Sequence, residues 1–438
     1  MNVSVPIALS EWSSVTPARD ARLQGLSFNA TPRARALVEQ LRQRKRLQVV
    51  ELHDGIAITT HSFVGALTIG PLRILIEPKI PGDALLRLLR YAYGLRQLDL
   101  YATHAGTVAS ACFQDLLLYQ LAAEVQELLS RGLHRRYQEQ RASLAMPRGR
   151  IDFRRLVVAG GTATAELPCR YHERDEDCFP NRVLLAGVRF AAKLAIDPVL
   201  ATRLRQLARF LEDRVGTILL EPAVLTRLRR EENRLLAAYA PAFELIALLA
   251  HDIGATATAE SKEAIELPGF LFDMNRFFER LMERFLTEHL PDCQVLGQQT
   301  LRGLFTYDRD HNPLGRQAPR PRPDFVIKAP GGRTAVLDAK YRDLWGDSLP
   351  REMLYQLAIY TLGGLGGGVA AILYPTTAVD ATEQRVRVRE PLQGNVVGTV
   401  ALRPVMVEHL ADLVMARPTA QVMEQRRALA AKLVWGGS

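Results

Sequence analysis

Alternation between apolar and polar residues marks the start of the chain as rich in strands. Two short apolar runs flank Asp54-Gly55, a dipeptide that favours a tight β-hairpin turn. One helix is predicted between Thr31 and Arg46, and it carries a run of arginines. The predicted strands cover residues 47–52, 56–60, 64–69 and 72–76. Residues 1–95 are therefore expected to form a β-rich domain.

The middle of the chain, residues 96–265, follows a helical period instead. A basic and less regular stretch, which includes Arg135 and Arg150, interrupts this pattern. The predicted helices cover residues 113–133, 180–195, 198–215 and 222–249. This region is therefore expected to be mainly helical.

The last region, residues 266–438, begins with a helix and continues as two apolar strands around the turn Pro330-Gly331-Gly332. A second helix is predicted over residues 351–360, with Ser348 as its N-cap and Pro350 in its first turn. An apolar strand follows at residues 369–375. This order predicts an α/β core, a mixed sheet flanked by helices, with a right-handed crossover. Two amphipathic stretches between residues 405 and 433 predict a helical tail.

Charged residues cluster at the ends of the two strands in this core. Asp338 and Lys340 are two apart on a strand, so their side chains point to the same face. The hairpin is expected to bring Asp324 to the same edge of the sheet. Two carboxylates hold Mg²⁺ through oxygen, and the metal activates water and stabilises developing charge. The alternative is ordinary: an Asp-x-Lys pair on a strand is often solvated surface charge.

The flanking helices supply further candidates. Gln356 and Tyr360 are four residues apart and therefore share one helix face. The helix over residues 272–286 has a continuous apolar stripe, and Glu279 lies beside that stripe. Glu279 is the candidate for a third acidic residue, and the alternative is a surface acid on an ordinary amphipathic helix.

Composition agrees with a folded protein that has a partner rich in phosphate. The 438 residues carry a net charge of +9, which by itself is only weak support for nucleic-acid binding. Arg316, Arg320 and Arg322 precede Asp324 and either contact DNA phosphates or form a solvated loop. Four scattered cysteines favour a reduced cytoplasmic protein. No apolar run has the length of a membrane span, so no membrane partner is expected.

Taken together, Asp324, the Asp338-Ala339-Lys340 triplet and the helix with Gln356 and Tyr360 resemble the PD-(D/E)XK nuclease superfamily in its RecB-like form. The resemblance implies that Asp324 and Asp338 bind the metal. It also implies that Lys340 positions or activates the attacking water, and that the Gln and Tyr support the site. An acid on a preceding helix is part of the pattern, and Glu279 occupies that place. The implied cofactor is Mg²⁺, with Mn²⁺ as a substitute.

The upstream order of short motifs is similar to the McrC family, the nuclease subunits of McrBC-type modification-dependent restriction systems. The motifs are Ile74 to Ile80, Arg148 to Phe153 and Cys169 to Arg182. The resemblance implies a McrB-like AAA+ GTPase ring as partner, docking through residues 1–95, and double-stranded DNA as substrate. In agreement, the sequence has no phosphate-binding G-x-x-x-x-G-K motif followed by Ser or Thr.

Other functions remain open at this level. The chain is alternatively a nuclease that acts alone in DNA repair, or a scaffold that activates a AAA+ partner without cutting. The scaffold predicts a degraded acid–acid–lysine set, whereas this sequence keeps Asp324, Asp338 and Lys340. A purely structural hairpin is the remaining alternative, and it predicts that replacing Asp338 or Lys340 leaves cleavage intact.

Overall fold

A computed structural model describes residues 6–28, 31–95, 113–158, 166–230, 236–250 and 269–437. The chain divides into two compact units. The first consists of residues 1–97 together with 271–438, and the second of residues 98–270. Within the described ranges, no helix is both long and apolar enough to cross a membrane.

The strands are β1 (Pro6–Ser10), β2 (Ser14–Val15), β3 (Leu47–Leu52), β4 (Gly55–Thr60), β5 (Phe63–Ile69), β6 (Leu72–Glu77), β7 (Arg136–Leu144), β8 (Arg150–Ile151), β9 (Leu167–Asp175), β10 (Gly269–Asp273), β11 (Gln294–Gly297), β12 (Phe325–Lys328), β13 (Thr334–Ala339), β14 (Val369–Thr376), β15 (Gln384–Arg389) and β16 (Val396–Met406). The helices are α1 (Pro32–Gln43), α2 (Gly82–Tyr93), α3 (Phe113–Arg131), α4 (Phe153–Val158), α5 (Phe179–Leu194), α6 (Pro198–Glu212), α7 (Pro222–Arg230), α8 (Ala240–Ala250), α9 (Met274–His289), α10 (Arg351–Leu362), α11 (Val407–Met415) and α12 (Ala420–Trp435).

A six-stranded mixed sheet forms the centre of the first unit, in the order β11-β12-β13-β14-β16-β15. The strands β13, β14 and β16 run parallel, while β11, β12 and β15 pair antiparallel with their neighbours. The helix α10 lies between β13 and β14 in the chain, as expected for a crossover between parallel strands. The prediction of a mixed α/β fold is confirmed.

The β12–β13 hairpin has the predicted turn. Gly331 and Gly332 have φ angles of 78° and 80°, a left-handed conformation that glycine adopts without a steric penalty. The N–H of Ala329 donates to the carbonyl of Arg333 at 2.8 Å and closes the turn. Phe325 pairs with Leu337 across the hairpin, which fixes the register of the two strands.

The two helices that flank this sheet differ in how they begin. Asp273 is the N-cap of α9, and its side chain accepts from the N–H groups of Asn275 and Arg276. For α10, the prediction of a Ser348 cap is wrong. Pro350 itself is the N-cap, with an extended backbone, so the helix begins at Arg351 and no side chain caps it.

The N-terminal strands belong to the same unit as the mixed sheet. They form a four-stranded sheet, β1-β6-β5-β10, and a three-stranded sheet, β2-β4-β3, in which Asp54 and Gly55 lie at the predicted hairpin turn. Polar contacts join α2 to the C-terminal elements. Tyr91 Oη donates to Glu288 Oε2 of α9 at 2.6 Å, and Arg87 pairs with Asp412 of α11. The N-terminal region is thus fastened to the helices around the mixed sheet.

The second unit contains the helices α3 to α8 and also a sheet in the order β7-β9-β8. The stretch after Arg135 looks irregular in sequence, yet it forms β7 because β9 pairs with it over its whole length. The predicted helix over residues 222–249 is not continuous. It ends at Arg230 in α7, and α8 begins at Ala240, where Pro241 occupies the first turn.

A buried carboxyl joins β1 to the end of β13. Glu11 is fully buried, and its Oε1 accepts from the N–H of Lys79 at 2.7 Å and from Tyr341 Oη at 2.8 Å. Its Oε2 has no hydrogen-bond partner. Burial raises the pKa of Glu11 from 4.5 to about 7, although both hydrogen bonds act to lower it.

This pKa predicts a pH-dependent stability that Glu11→Gln should remove. The pKa of Glu11 is higher in the folded state than in the unfolded state. The stability that this difference contributes is therefore fully present below pH 4.5 and is lost as the pH rises to about 7. The loss amounts to about 3 kcal/mol. We therefore expect the thermal midpoint of Glu11→Gln to exceed that of the wild type progressively more between pH 5 and pH 8. Glu77→Gln, on an exposed neighbour, is the control, and a constant difference across this range would contradict the expectation.

Candidate functional site

The predicted acidic pair does meet at one edge of the mixed sheet. Asp338 is the penultimate residue of β13, a central strand that is buried over nearly its whole length. Asp324 directly precedes β12, and the pairing of Phe325 with Leu337 brings it beside Asp338. Both side chains are buried, with Asp338 only 1% exposed. The sheet therefore holds two carboxylates next to each other at the ends of neighbouring strands.

Lys340 lies against both acids, as predicted. Its Nζ is 2.7 Å from Asp338 Oδ2 and 3.6 Å from Asp324 Oδ2. Its backbone N–H donates to the carbonyl of Leu373 at 2.9 Å and so extends the sheet beyond β13. Burial acts to lower the pKa of Lys340, but the charges of Asp338 and Asp324 outweigh it and raise the pKa. The ammonium group therefore stays protonated.

Asp324 is held in place by three protein contacts. Its Oδ2 accepts from the N–H of Ala339 at 2.8 Å, and its Oδ1 accepts from Gln298 Nε2 at 3.0 Å. The N–H of Gln298 also donates to the Asp324 carbonyl at 2.8 Å. Burial and then the charge of Asp338 raise the pKa of Asp324, while Lys340 opposes this. A cation at this site would therefore compete with a proton.

Sequence reasoning did not find Gln298. The residue follows the short strand β11, and its φ of 51° lies in the left-handed region. Nothing in the hydrophobic pattern distinguishes it from the adjacent Gln299. Only the pairing of β11 with β12 brings Gln298 next to Asp324.

The carboxylate of Asp338 has fewer protein partners than that of Asp324. Its Oδ2 forms the ion pair with Lys340 at 2.7 Å, and no backbone N–H group donates to either of its oxygens. A buried carboxylate that has one ammonium group as its partner remains costly in a folded protein. Two carboxylates beside each other, with a single ammonium group against them, have the oxygen chemistry that Mg²⁺ selects. The residues present therefore fit a divalent cation.

Glu279 of α9 lies near this pair but outside its immediate cluster. Burial raises the pKa of Glu279, and the charge of Asp338 raises it further, whereas Lys340 lowers it. Among the described residues, no three Asp, Glu, His or Cys side chains are close enough to hold one metal ion. Asp324 and Asp338 are thus brought together, and Glu279 contributes its charge from beside them.

Gln356 and Tyr360 interact on α10 as their spacing predicts. Gln356 Nε2 lies 3.1 Å from Tyr360 Oη, and Tyr360 is fully buried. Burial raises the pKa of Tyr360, and the charges of Asp338 and Asp324 add to this. The phenol is therefore close enough to interact electrostatically with the acidic pair. It forms part of the core cluster beneath the site, together with Leu357 of the same helix.

The three arginines before Asp324 are all exposed. Arg322 Nε donates to the carbonyl of Gln298 at 2.6 Å, which ties it to the residue that holds Asp324. Arg316 and Arg320 line an open groove on the loop that leads to Asp324. The structure thus places all three on one loop that ends at the acidic pair.

The sequence matches the model of a known protein family. A family model described as "McrBC 5-methylcytosine restriction system component" matches residues 58–375, an interval that includes every candidate from Glu279 to Tyr360. No curated protein matches the chain.

Two solved structures are similar to it. One is a chain of the refined half-complex from the tetradecameric assembly of Thermococcus gammatolerans McrB AAA+ hexamers with bound McrC. It has a TM-score of 0.66 and 21% identity, covering 98% of this chain and 100% of that chain. The other is a chain of the cryo-EM structure of the Thermococcus gammatolerans McrBC complex, with a TM-score of 0.48 and 23% identity, covering 65% and 88%. The first likeness shows a common fold, and the family model spans well over half of the sequence. The chain belongs to the McrBC 5-methylcytosine restriction system component family.

Proposed function

We propose that this chain is the Mg²⁺-dependent endonuclease subunit of a McrBC-like restriction complex, with a PD-(D/E)XK active site. In this proposal it cleaves phosphodiester bonds of double-stranded DNA and stimulates a McrB-like AAA+ GTPase ring. The observation that carries the proposal is the state of Asp338. This carboxylate is buried, is paired with Lys340 at 2.7 Å, and lies beside Asp324.

The metal would be held by Asp324 and Asp338, with Mn²⁺ as an expected substitute for Mg²⁺. When bound, the cation would activate water and stabilise the charge that develops on the phosphate. The hydrogen bonds from Ala339 and Gln298 orient Asp324 before any cation arrives. A site that is already ordered loses little freedom when it binds.

Lys340 would act on the substrate rather than on the metal. Its protonated Nζ is pinned between two acids and is partly exposed, so it can donate a hydrogen bond to the attacking water or to a phosphate oxygen. Gln356 and Tyr360 would support this arrangement from α10. Glu279 would keep the site negative and so favour a divalent cation over a free phosphate.

Two observations support a partner that hydrolyses nucleotide: the family of the chain, and the absence of a phosphate-binding motif from its sequence. The sequence contains no G-x-x-x-x-G-K motif followed by Ser or Thr, so nucleotide hydrolysis would come from another chain. The similar solved chain belongs to an assembly of McrB hexamers with bound McrC. A McrB-like ring would therefore supply the motor and the choice of DNA, while this chain supplies the cut.

Plasmid cleavage tests the proposal directly. Methylated and unmethylated plasmid are incubated with this chain, with and without its McrB-like partner, in Mg²⁺ and either GTP or ATP. We expect cleavage only of methylated DNA, only with the partner and a nucleotide, and none in EDTA. Nucleotide hydrolysis by the partner should rise when this chain is added.

Each other outcome contradicts part of the proposal. Equal cutting of both plasmids by this chain alone would indicate a stand-alone nuclease. Stimulated hydrolysis without any cutting would indicate an activator that lacks catalysis. Cleavage that persists in EDTA would exclude the metal-dependent reaction.

A further inference from the structure

The loop that leads to Asp324 carries a groove of about 460 Å³ with an unusual lining. Three arginines and two aromatic residues face it: Arg302, Arg316, Arg320, Phe305 and Tyr307. Guanidinium groups bind phosphate, and aromatic rings stack on nucleic-acid bases. This combination is different from the purely basic surface that a duplex backbone requires.

The aromatic residues face the groove, whereas other apolar residues of the same loop pack against the core. Leu301 and Leu304 pack against the core cluster that includes Tyr360. Phe305 and Tyr307 do not join this cluster, and they are 38% and 45% exposed. Because the leucines already anchor the loop, packing gives no account of the two rings.

In the described residues, the guanidinium groups of the groove do not cover its aromatic rings. Elsewhere in the chain, arginines often cover aromatic rings, as Arg284 covers Tyr91 and Arg174 covers Tyr137. No such contact involves Phe305 or Tyr307 in the part of the chain that the structure describes. Across those same ranges, the three groove arginines form no ion pair. The groove therefore presents binding groups that the protein itself does not use.

Hydrogen bonds within the loop connect the groove to the segment that ends at the acidic pair. Leu301 N–H donates to the Pro321 carbonyl at 2.9 Å, so the two ends of the loop are joined. On one wall, Asn312 and Arg316 exchange two hydrogen bonds of 2.9 Å. Arg320 is four residues before Asp324, which limits their separation to about 14 Å.

We propose that this groove binds an unpaired segment of the DNA strand beside the scissile phosphate. Arg302, Arg316 and Arg320 contact its phosphates, and Phe305 and Tyr307 stack on its bases. Bases inside a duplex are stacked on one another, so rings of this kind engage a strand only where it is unpaired. The inference rests on the proposed nuclease function, because it assigns the groove to the substrate of that reaction.

Oligonucleotide binding to the full chain tests this, in EDTA to prevent cutting. A single strand of 12 nucleotides carrying 2-aminopurine is compared with a duplex of the same sequence. We expect Phe305→Ala with Tyr307→Ala to weaken single-strand binding at least about 10-fold and to change duplex binding less than about twofold. The wild type should quench 2-aminopurine fluorescence on binding, and the double variant should not.

Matched variants identify the cause of any loss. Tyr307→Phe keeps the ring and should bind like the wild type, which separates stacking from misfolding. Phe153→Ala, at an exposed ring in the other unit, should have no effect. Arg320→Gln should weaken binding and lower the salt dependence by about one phosphate contact. Arg33→Gln is its exposed control.

The outcomes separate this inference from the proposed function. Unchanged single-strand binding by the double variant, or equal losses on single strand and duplex, would overturn the groove assignment. Cleavage by the wild-type complex would then still support the nuclease. Conversely, stacking-dependent binding of the single strand without any cleavage by the wild-type complex would retain the groove and overturn the nuclease.

Discussion

Asp338→Asn should reduce plasmid cleavage by the assembled complex at least about 1000-fold, equivalent to about 4 kcal/mol of transition-state stabilisation. The substitution keeps the shape of the side chain but removes the negative charge that a divalent cation needs. It also puts an amide group in place of the carboxylate whose oxygen lies 2.7 Å from Lys340 Nζ. Cleavage is measured as the rate of linear-product formation, and stimulated nucleotide hydrolysis by the partner is measured in the same reaction.

The same variant should remain folded, which makes the result interpretable. Asp338 is fully buried beside Asp324, so the substitution relieves the repulsion between the two carboxylates, while Lys340 keeps Asp324 as an ion-pair partner at 3.6 Å. We therefore expect its thermal midpoint to equal or exceed that of the wild type. Glu352→Gln, at an exposed acid in the first turn of α10, is the control and should cut normally. Wild-type cleavage by Asp338→Asn would assign the hairpin a purely structural role.

The convergence of Asp324, Asp338 and Lys340 was predictable because it depends on local rules. A two-residue spacing on a strand places Asp338 and Lys340 on one face, and a tight glycine turn returns the chain antiparallel. These rules operate over fewer than 20 residues, and the register of Phe325 with Leu337 follows from the turn. The pairing of Gln356 with Tyr360 is local in the same way.

The contacts that complete the site are not local, and the sequence did not reveal them. Gln298 reaches Asp324 because β11 pairs with β12, and the intervening loop leaves no periodic signal. Glu11 contacts Tyr341 although 330 residues separate them. Neither hydrophobic periodicity nor turn chemistry encodes which distant segments pack together, so the single unit formed by the two ends of the chain is visible only in the fold.

Two corrections have the same kind of origin. The strand β7 was missed because charged and polar residues dominate it, and its partner β9 lies more than 20 residues further on. The Ser348 cap was wrong because a residue type that favours capping does not fix where a helix begins. The helix begins at Arg351 instead, with Pro350 as its N-cap.

Arg403→Met should destabilise the first unit by about 3 kcal/mol. Arg403 lies on β16 and is only 5% exposed. Its Nε donates to Glu383 Oε2 at 2.9 Å, and its Nη1 donates to the carbonyls of Leu433 and Val434 at 3.0 and 2.6 Å. The two carbonyls belong to the last turn of α12, where no intrahelical donor remains.

This loss should reach β13, because α12 packs against β13 and α9. Methionine fills the volume but leaves the two carbonyls unsatisfied at the negative end of the helix. Arg403→Lys keeps the charge but lacks the planar guanidinium group. Its thermal midpoint should therefore lie between those of the wild type and Arg403→Met. The thermal midpoint of Arg387→Met, at an exposed arginine on β15, should not change. Because the acidic pair depends on the position of β13, cleavage by Arg403→Met should fail at a lower temperature than cleavage by the wild type. Equal midpoints for Arg403→Met and Arg387→Met would show that the buried guanidinium does not hold α12 in place.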